Sequence, residues 1–133
     1  MAKKILIVED EPDIKDLLKS RLEANGYEVM TATDGFEALE IARENKPDLI
    51  TLDVMLPKLN GYAVCRMLKF SQQHQNIPII MLTARSDPQD LKTGREVAAD
   101  AYITKPFESQ ALIQKIAELL KKFEQNPPQR SIS

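Results

Sequence analysis

Near its start the chain reads KILIVEDE over residues 4–11. The apolar run from Ile5 to Val8 is rich in β-branched side chains, which is typical of a strand buried on both faces. Strands of this kind belong to parallel sheets that helices cover on both sides. Because three acidic residues follow at once, the segment also predicts a cluster of negative charge at the end of a buried strand.

The same pattern recurs along the chain. Further short apolar runs predict strands over residues 27–31, 49–53, 79–82 and 101–104. Apolar residues at helical spacing predict helices that begin near Pro12, Asp34, Gly61, Pro88 and Leu112. Strands and helices in strict alternation predict an α/β fold, in which helices cover both faces of a parallel sheet.

The length and composition of the chain limit its function. It has 133 residues, a formal net charge of −2 and 43% hydrophobic side chains, which fits one ordinary globular domain. The charge balance gives no indication of a surface for nucleic acid, and the apolar runs are far shorter than the roughly 20 residues of a membrane helix. We therefore expect a cytoplasmic domain that neither binds nucleic acid directly nor associates with a membrane.

The folded domain is expected to cover residues 1–123. The remaining residues, 124–133, include Pro127 and Pro128 among mostly polar side chains. This composition is typical of a disordered tail or a linker.

The chain has one cysteine, Cys65, and one histidine, His74. An internal disulfide, a multi-cysteine zinc site and a two-histidine metal site are therefore excluded. Cys65 lies on an apolar helix face and is expected in the core, whereas His74 lies in the polar stretch 71–76 and is expected to be solvated. The four glycines match neither a dinucleotide-binding fingerprint nor a P-loop. Any phosphate chemistry must therefore use side chains and a metal.

Chemically active side chains follow the predicted strands at their carboxyl ends. They are Glu9 and Asp10 after the first strand, Asp53 at the end of the third, Thr83 after the fourth and Lys105 after the fifth. In an open parallel sheet, functional groups gather at the edge where these ends meet. The sequence therefore predicts a site that contains several carboxylates, a hydroxyl and an ammonium group.

Converging carboxylates need a compensating positive charge. Two unit charges about 4 Å apart repel by roughly 4 kcal/mol at an effective dielectric constant near 20. Lys105 offsets part of this repulsion, and Mg²⁺, which prefers carboxylate and phosphate oxygens, would offset more. Capping of the following helix is a sufficient explanation for Glu11. It does not explain why Asp10 and Asp53 converge.

Four segments occur in a characteristic order: ILIVEDE (5–11), LDVMLPKLNGY (52–62), MLTAR (81–85) and YITKPF (102–107). Together they resemble the bacterial response-regulator receiver domain, over about residues 3–122. The resemblance implies a flavodoxin-like, doubly wound, five-stranded parallel sheet in the order 2-1-3-4-5 with five helices. It also implies a switch of two-component signal transduction, in which an aspartate accepts a phosphoryl group from a sensor histidine kinase or a phosphotransfer protein, with Mg²⁺ bound beside it.

The resemblance further implies roles for individual residues. Asp53 would be the phosphoacceptor. Asp10 and Asp53 would bind Mg²⁺ directly, the main-chain carbonyl of Met55 would be a third ligand, and Glu9 would act through water. The residue types suit this chemistry, because a carboxylate nucleophile forms an acyl phosphate and the transfer depends on positioning and charge neutralisation.

Three more residues receive roles from the resemblance. Lys105 would pair with the phosphoryl oxygens, and Thr83 would hydrogen-bond to them and move inward. Tyr102 would fill the space that Thr83 leaves, and Pro106 would follow a cis peptide bond. The residues alone leave simpler alternatives, since Thr83 could be a strand-end hydroxyl bonded to the backbone. Tyr102 could be an ordinary half-buried strand aromatic.

Two other functions stay open. A phosphoaspartyl-type hydrolase also uses an aspartate nucleophile, but it usually needs a second acid two positions later, where this chain has Met55. The other alternative is a receiver-like scaffold that is never phosphorylated, which nothing in the sequence favours. We expect a switch that assists its own phosphorylation and dephosphorylation, and no enzyme with a separate substrate.

Overall fold

The computed structural model of the protein describes residues 2–83 and 99–125. Its elements in chain order are β1 (Lys4–Val8), α1 (Pro12–Ala24), β2 (Glu28–Ala32), α2 (Gly35–Asn45), β3 (Leu49–Asp53), α3 (Gly61–Lys69), β4 (Ile79–Thr83), β5 (Ala101–Thr104) and α4 (Ser109–Gln125). All the predicted strands are present. The helix predicted near Pro88 lies outside the described residues, and so do residues 126–133 of the expected tail.

The strands form one parallel sheet in the order β2-β1-β3-β4-β5. This confirms the doubly wound, flavodoxin-like fold. The chain runs from β1 outward to β2 and then returns past β1 to β3, so the order of the strands reverses between β1 and β3. In sheets of this kind a crevice opens at that point, at the carboxyl ends of the strands.

The sheet is buried on both faces, as the apolar run in β1 predicts. Leu6 and Val8 belong to the core beneath α2 and α3, whereas Ile5 and Ile7 belong to the core beneath α1 and α4. All four side chains are fully buried. Successive residues of a strand point to opposite faces, so a strand covered on both sides favours apolar side chains at every position.

Two boundaries differ from the prediction. β2 begins one residue late because the Tyr27 N–H donates to the carbonyl of Leu22 in α1 at 3.2 Å, which makes Tyr27 part of the helix end. Helix α4 continues to Gln125, past the domain end expected at residue 123. Among the described residues no helix, α4 included, combines the length and the apolar character that crossing a bilayer requires.

Cys65 is fully buried in the core, as predicted, but the prediction for His74 is wrong. Only 4% of His74 is exposed. The N–H groups of His74 and Gln75 donate to the Ser71 carbonyl at 3.1 and 2.8 Å, and His74 Nδ1 lies 2.8 Å from Ser71 Oγ. This turn folds a polar stretch back onto the domain, an outcome that the composition of the stretch does not reveal.

Candidate functional site

The carboxyl edge of the sheet collects the reactive side chains that the sequence predicts there. Glu9 and Asp10 follow β1, Asp53 is the last residue of β3, Thr83 is the last residue of β4, and Lys105 follows β5. These strands are parallel neighbours in the order β1-β3-β4-β5, so their carboxyl ends lie side by side. The fold brings together residues as much as 96 positions apart in the chain.

Glu9, Asp10 and Asp53 form an acidic cluster. One carboxylate oxygen of each residue lies within 4.8 Å of the corresponding oxygens of the other two. Glu9 is fully buried and Asp53 is 3% exposed, whereas Asp10 faces solvent. Two fixed carboxylates and a third that is open to water suit a hard divalent cation that keeps part of its water shell. The cluster can therefore hold a metal ion.

Lys105 supplies a positive charge to this cluster. Its Nζ lies 2.7 Å from Asp53 Oδ2 and 3.0 Å from Glu9 Oε1, and the Lys105–Pro106 peptide bond is cis. Burial acts to lower the pKa of Lys105, but its bonds to the two carboxylates outweigh burial and raise the pKa. Burial raises the pKa of Glu9, an effect that Lys105 opposes and Asp53 reinforces. In the part of the chain that the structure describes, one ammonium group faces three carboxylates, and this excess of negative charge favours a further cation.

The backbone after β3 orients the Asp53 carboxylate. Asp53 Oδ1 accepts a hydrogen bond from the Met55 N–H at 3.0 Å. Gly61, the first residue of α3, packs directly on this backbone: a methyl group there would collide with the Asp53 carbonyl oxygen and lie 2.9 Å from Val54 Cα. Only glycine lets α3 begin so close to Asp53. The pair Asn60-Gly61 predicts a turn, but nothing local in the sequence indicates this close approach.

Thr83 and Tyr102 lie on one face of the sheet near this site. Thr83 is 2% exposed, and in the described part of the chain its hydroxyl has no hydrogen-bond partner. Within those residues the alternative of a backbone-bonded hydroxyl is not supported. Tyr102 is partly buried and pairs in register with Met81, two residues before Thr83. Side chains two residues apart in a strand share a face.

Comparisons with known proteins agree with this fold. A family model, the response regulator receiver domain, matches residues 5–117. The chain is 49% identical over 124 residues to the alkaline phosphatase synthesis transcriptional regulatory protein PhoP of Bacillus subtilis. The aligned region covers 93% of this chain and 51% of PhoP. The chain spans about half the length of the curated relatives it matches.

Solved structures give the same result. The signal receiver domain of a signal transduction histidine kinase from Syntrophus aciditrophicus has a TM-score of 0.87 and 39% identity, over 99% of this chain and 98% of that chain. The receiver domain of the sensor histidine kinase PA1611 from Pseudomonas aeruginosa PAO1, solved with magnesium in its active-site cleft, has a TM-score of 0.84 and 29% identity, over 91% and 99%. The chain belongs to the response regulator receiver domain family, the switch domains of two-component signalling.

Proposed function

We propose that Asp53 accepts a phosphoryl group from a phosphohistidine on a sensor histidine kinase or a phosphotransfer protein. The placement of the Asp53 carboxylate carries this proposal. The Met55 N–H and Lys105 Nζ hold it at the edge where Glu9 and Asp10 also converge. Phosphoryl transfer needs such a fixed nucleophile beside groups that neutralise the incoming charge.

The donor set of the site suits Mg²⁺. Asp10 and Asp53 would bind the ion directly, Met55 would offer its main-chain carbonyl, and Glu9 would act through water. Oxygen ligands of these kinds are the ones that Mg²⁺ prefers. When bound, the ion supplies positive charge that offsets the charge of the phosphoryl oxygens. The magnesium-containing PA1611 receiver supports the choice of this ion.

In the transfer, a carboxylate oxygen of Asp53 attacks the phosphorus atom and forms the P–O bond of an acyl phosphate. The P–N bond to the donor imidazole breaks, and its electron pair returns to the imidazole nitrogen. Lys105, whose Nζ pairs with Asp53 Oδ2 at 2.7 Å, then donates to the phosphoryl oxygens. Met55 follows Asp53 by two positions. Its side chain has no acidic group that could protonate a leaving group, as the general acid of a phosphoaspartyl hydrolase does. This supports a phosphoacceptor over a phosphoaspartyl hydrolase.

Thr83 and Tyr102 carry the response to phosphorylation. The buried Thr83 hydroxyl gains an acceptor in a phosphoryl oxygen, and Tyr102 occupies the space that Thr83 vacates. Shifting a two-state equilibrium from 1:99 to 99:1 takes about 5.5 kcal/mol, whereas a hydrogen bond to a charged group contributes roughly 1.5–3 kcal/mol. Thr83 alone is therefore insufficient, and Lys105 has to contribute to the preference for the active state.

A groove of about 440 Å³ beside the site suits the donor protein. It lies between α1 and the segment after β5, and its lining includes Leu17, Lys105 and Phe107. Leu17 is apolar but 49% exposed. Because Lys105 lines the groove and also contacts Asp53, a donor packed on α1 would bring its phosphohistidine to the nucleophile. The net charge of −2 favours a protein, not nucleic acid, as the partner of the activated domain.

The test is the intact mass of the protein after incubation with acetyl phosphate, with and without Mg²⁺. We expect the wild type and the control Asp13→Asn, which changes an exposed acid of α1, to gain one phosphoryl group when Mg²⁺ is present. Asp53→Asn should gain none. The gained mass should then decay without any added protein, since the domain assists its own dephosphorylation. Labelling of Asp53→Asn, or no labelling of the wild type, would refute the proposal.

A further inference from the structure

The loop between β3 and α3, residues 54–60, determines where the backbone next to Asp53 lies. The Val54 carbonyl accepts hydrogen bonds from the N–H groups of Leu56 at 3.1 Å and Gly61 at 3.0 Å. The Met55 N–H, between them, donates to Asp53 Oδ1. A shift of this loop would therefore move the Met55 amide and carbonyl relative to the carboxylate.

The far end of the same loop contacts the first turn of α2. Gly35, the first residue of α2, is buried there. A methyl group on Gly35 would collide with the Leu59 carbonyl oxygen and lie 2.7 Å from Leu59 Cβ. The backbone of Leu59 occupies the space that any other residue at position 35 would need for its side chain.

Asp34 forms a second contact between α2 and the loop. Its Oδ1 accepts a hydrogen bond from the Glu37 N–H at 2.9 Å and so caps the helix. Its Oδ2 lies 3.5 Å from Lys58 Nζ. Lys58 has a φ of 67°, a backbone conformation that residues other than glycine rarely adopt. The neighbouring contacts therefore hold the loop in a conformation that its own residues do not favour.

We propose that Gly35 is a positioning residue for the phosphoacceptor site: its missing side chain lets the loop rest on α2, which keeps the Met55 amide and carbonyl in place beside Asp53. This inference rests on the proposed function of Asp53. Gly35 does not itself contact Asp53, and it acts only through Leu59 and the loop. Alanine is the better helix former, so helix propensity by itself predicts that Gly35→Ala is harmless.

Three measurements test the role of Gly35: the amide chemical shift of Met55 in the metal-free protein, the affinity for Mg²⁺, and the initial rate of phosphoryl uptake from acetyl phosphate. Gly35→Ala should shift the Met55 amide and lower the affinity and the rate by about tenfold, the lower end of losses after disturbance of residues that support a site.

Gly26→Ala is the matched control. Gly26 has a φ of 88°, and a methyl group added to it would have no atom within 4 Å, so alanine there strains the backbone without displacing a neighbour. It should lower the free energy of unfolding and leave all three measurements at wild-type values. If these measurements change in Gly35→Ala but not in Gly26→Ala, the effect is due to the position of the loop and not to a general loss of stability.

A second variant keeps the proposal testable if Gly35→Ala does not fold. Asp34→Asn retains a capping oxygen but weakens the contact with Lys58, and it should shift the Met55 amide by a smaller amount. If the wild type takes up a phosphoryl group but the Met55 amide shift in either folded variant equals that of the wild type, the role of Gly35 is overturned and the proposed function stands. A wild type that takes up no phosphoryl group would overturn the proposed function, and the role of Gly35 with it.

Discussion

Two lysine–carboxylate clusters lie at opposite edges of the sheet. At the amino edge, Lys69 Nζ lies 2.6 Å from Asp100 Oδ2, and the two side chains are only 4% and 7% exposed. Lys69 also donates to the Ile77 carbonyl at 2.8 Å, and Asp100 accepts from the Ile79 N–H at 2.8 Å. At the carboxyl edge, the side chain of Lys105 is 21% exposed and shares one positive charge between two carboxylates.

The two clusters differ in charge balance and in access to water. Among the ion pairs of residues 2–83 and 99–125, the amino edge pairs one cation with one anion, and backbone groups are further partners of both. At the carboxyl edge negative charge is in excess, and Asp10 faces solvent. The distances between lysine and carboxylate are nearly the same, so distance does not separate a structural pair from a reactive site. The unbalanced, accessible cluster is the one that can take a ligand.

The largest expected effect is on stability at the amino edge. Lys69→Met leaves the Asp100 carboxylate buried without its cation, and breaking a buried pair from one side typically costs about 3–5 kcal/mol. Urea denaturation of Lys69→Met should show a loss of this size in the free energy of unfolding.

Lys105→Met is the matched control for Lys69→Met. We expect a smaller loss in its free energy of unfolding than in Lys69→Met, because the Lys105 side chain is 21% exposed and Asp10 faces solvent, so water can reach the carboxylates that the variant leaves without their cation. Equal losses in the two variants would show that burial and charge balance do not distinguish the clusters.

Addition of Mg²⁺ should have the next largest effect, and only the carboxyl edge should respond. At a concentration a hundredfold above its dissociation constant, a ligand stabilises the folded state by about 2.7 kcal/mol. The wild type and Lys69→Met should both gain thermal stability with Mg²⁺ and lose that gain on addition of a chelator. Asp10→Asn should gain much less, and an undiminished gain would remove Asp10 from the metal site.

The smallest expected effect is a pH dependence at the amino edge. His74 lies in the turn whose Gln75 and Ile77 carbonyls bind Lys69. Burial lowers the pKa of His74, and the charges of Arg43 and Lys46 lower it further. The unfolded chain therefore binds a proton before the folded chain does, and stability is lost as the pH falls below about 6.5.

His74→Gln should remove this part of the pH dependence, as measured by urea denaturation at about pH 7.5 and about pH 5.5. Ser71→Ala, which removes the Oγ near His74 Nδ1 but keeps the imidazole, is the control and should retain the dependence. An identical pH dependence of stability in His74→Gln and the wild type would contradict the assignment.

Much of the fold and part of the site can be predicted from the sequence, because the relevant residues are neighbours in the chain. An apolar run and the polar residue that ends it are adjacent in the chain. The positions of Asp53 at the end of β3 and of Thr83 at the end of β4 can therefore be predicted from the pattern alone. The burial of His74 does not follow, because a turn of polar residues has the same composition whether it packs on the domain or extends into water.

The alternation of strands and helices determines that the reactive groups share one edge, since parallel strands all end on the same side. The pairing of groups depends instead on packing between distant segments. Lys105 reaches Glu9 across 96 positions, Asp100 reaches Ile79 across 21, and Gly35 of α2 meets Leu59 of a later loop. No local pattern encodes these distances. Charge balance, burial and close backbone contact are properties of the packed chain, and they decide which lysine stabilises the domain and which one serves the site.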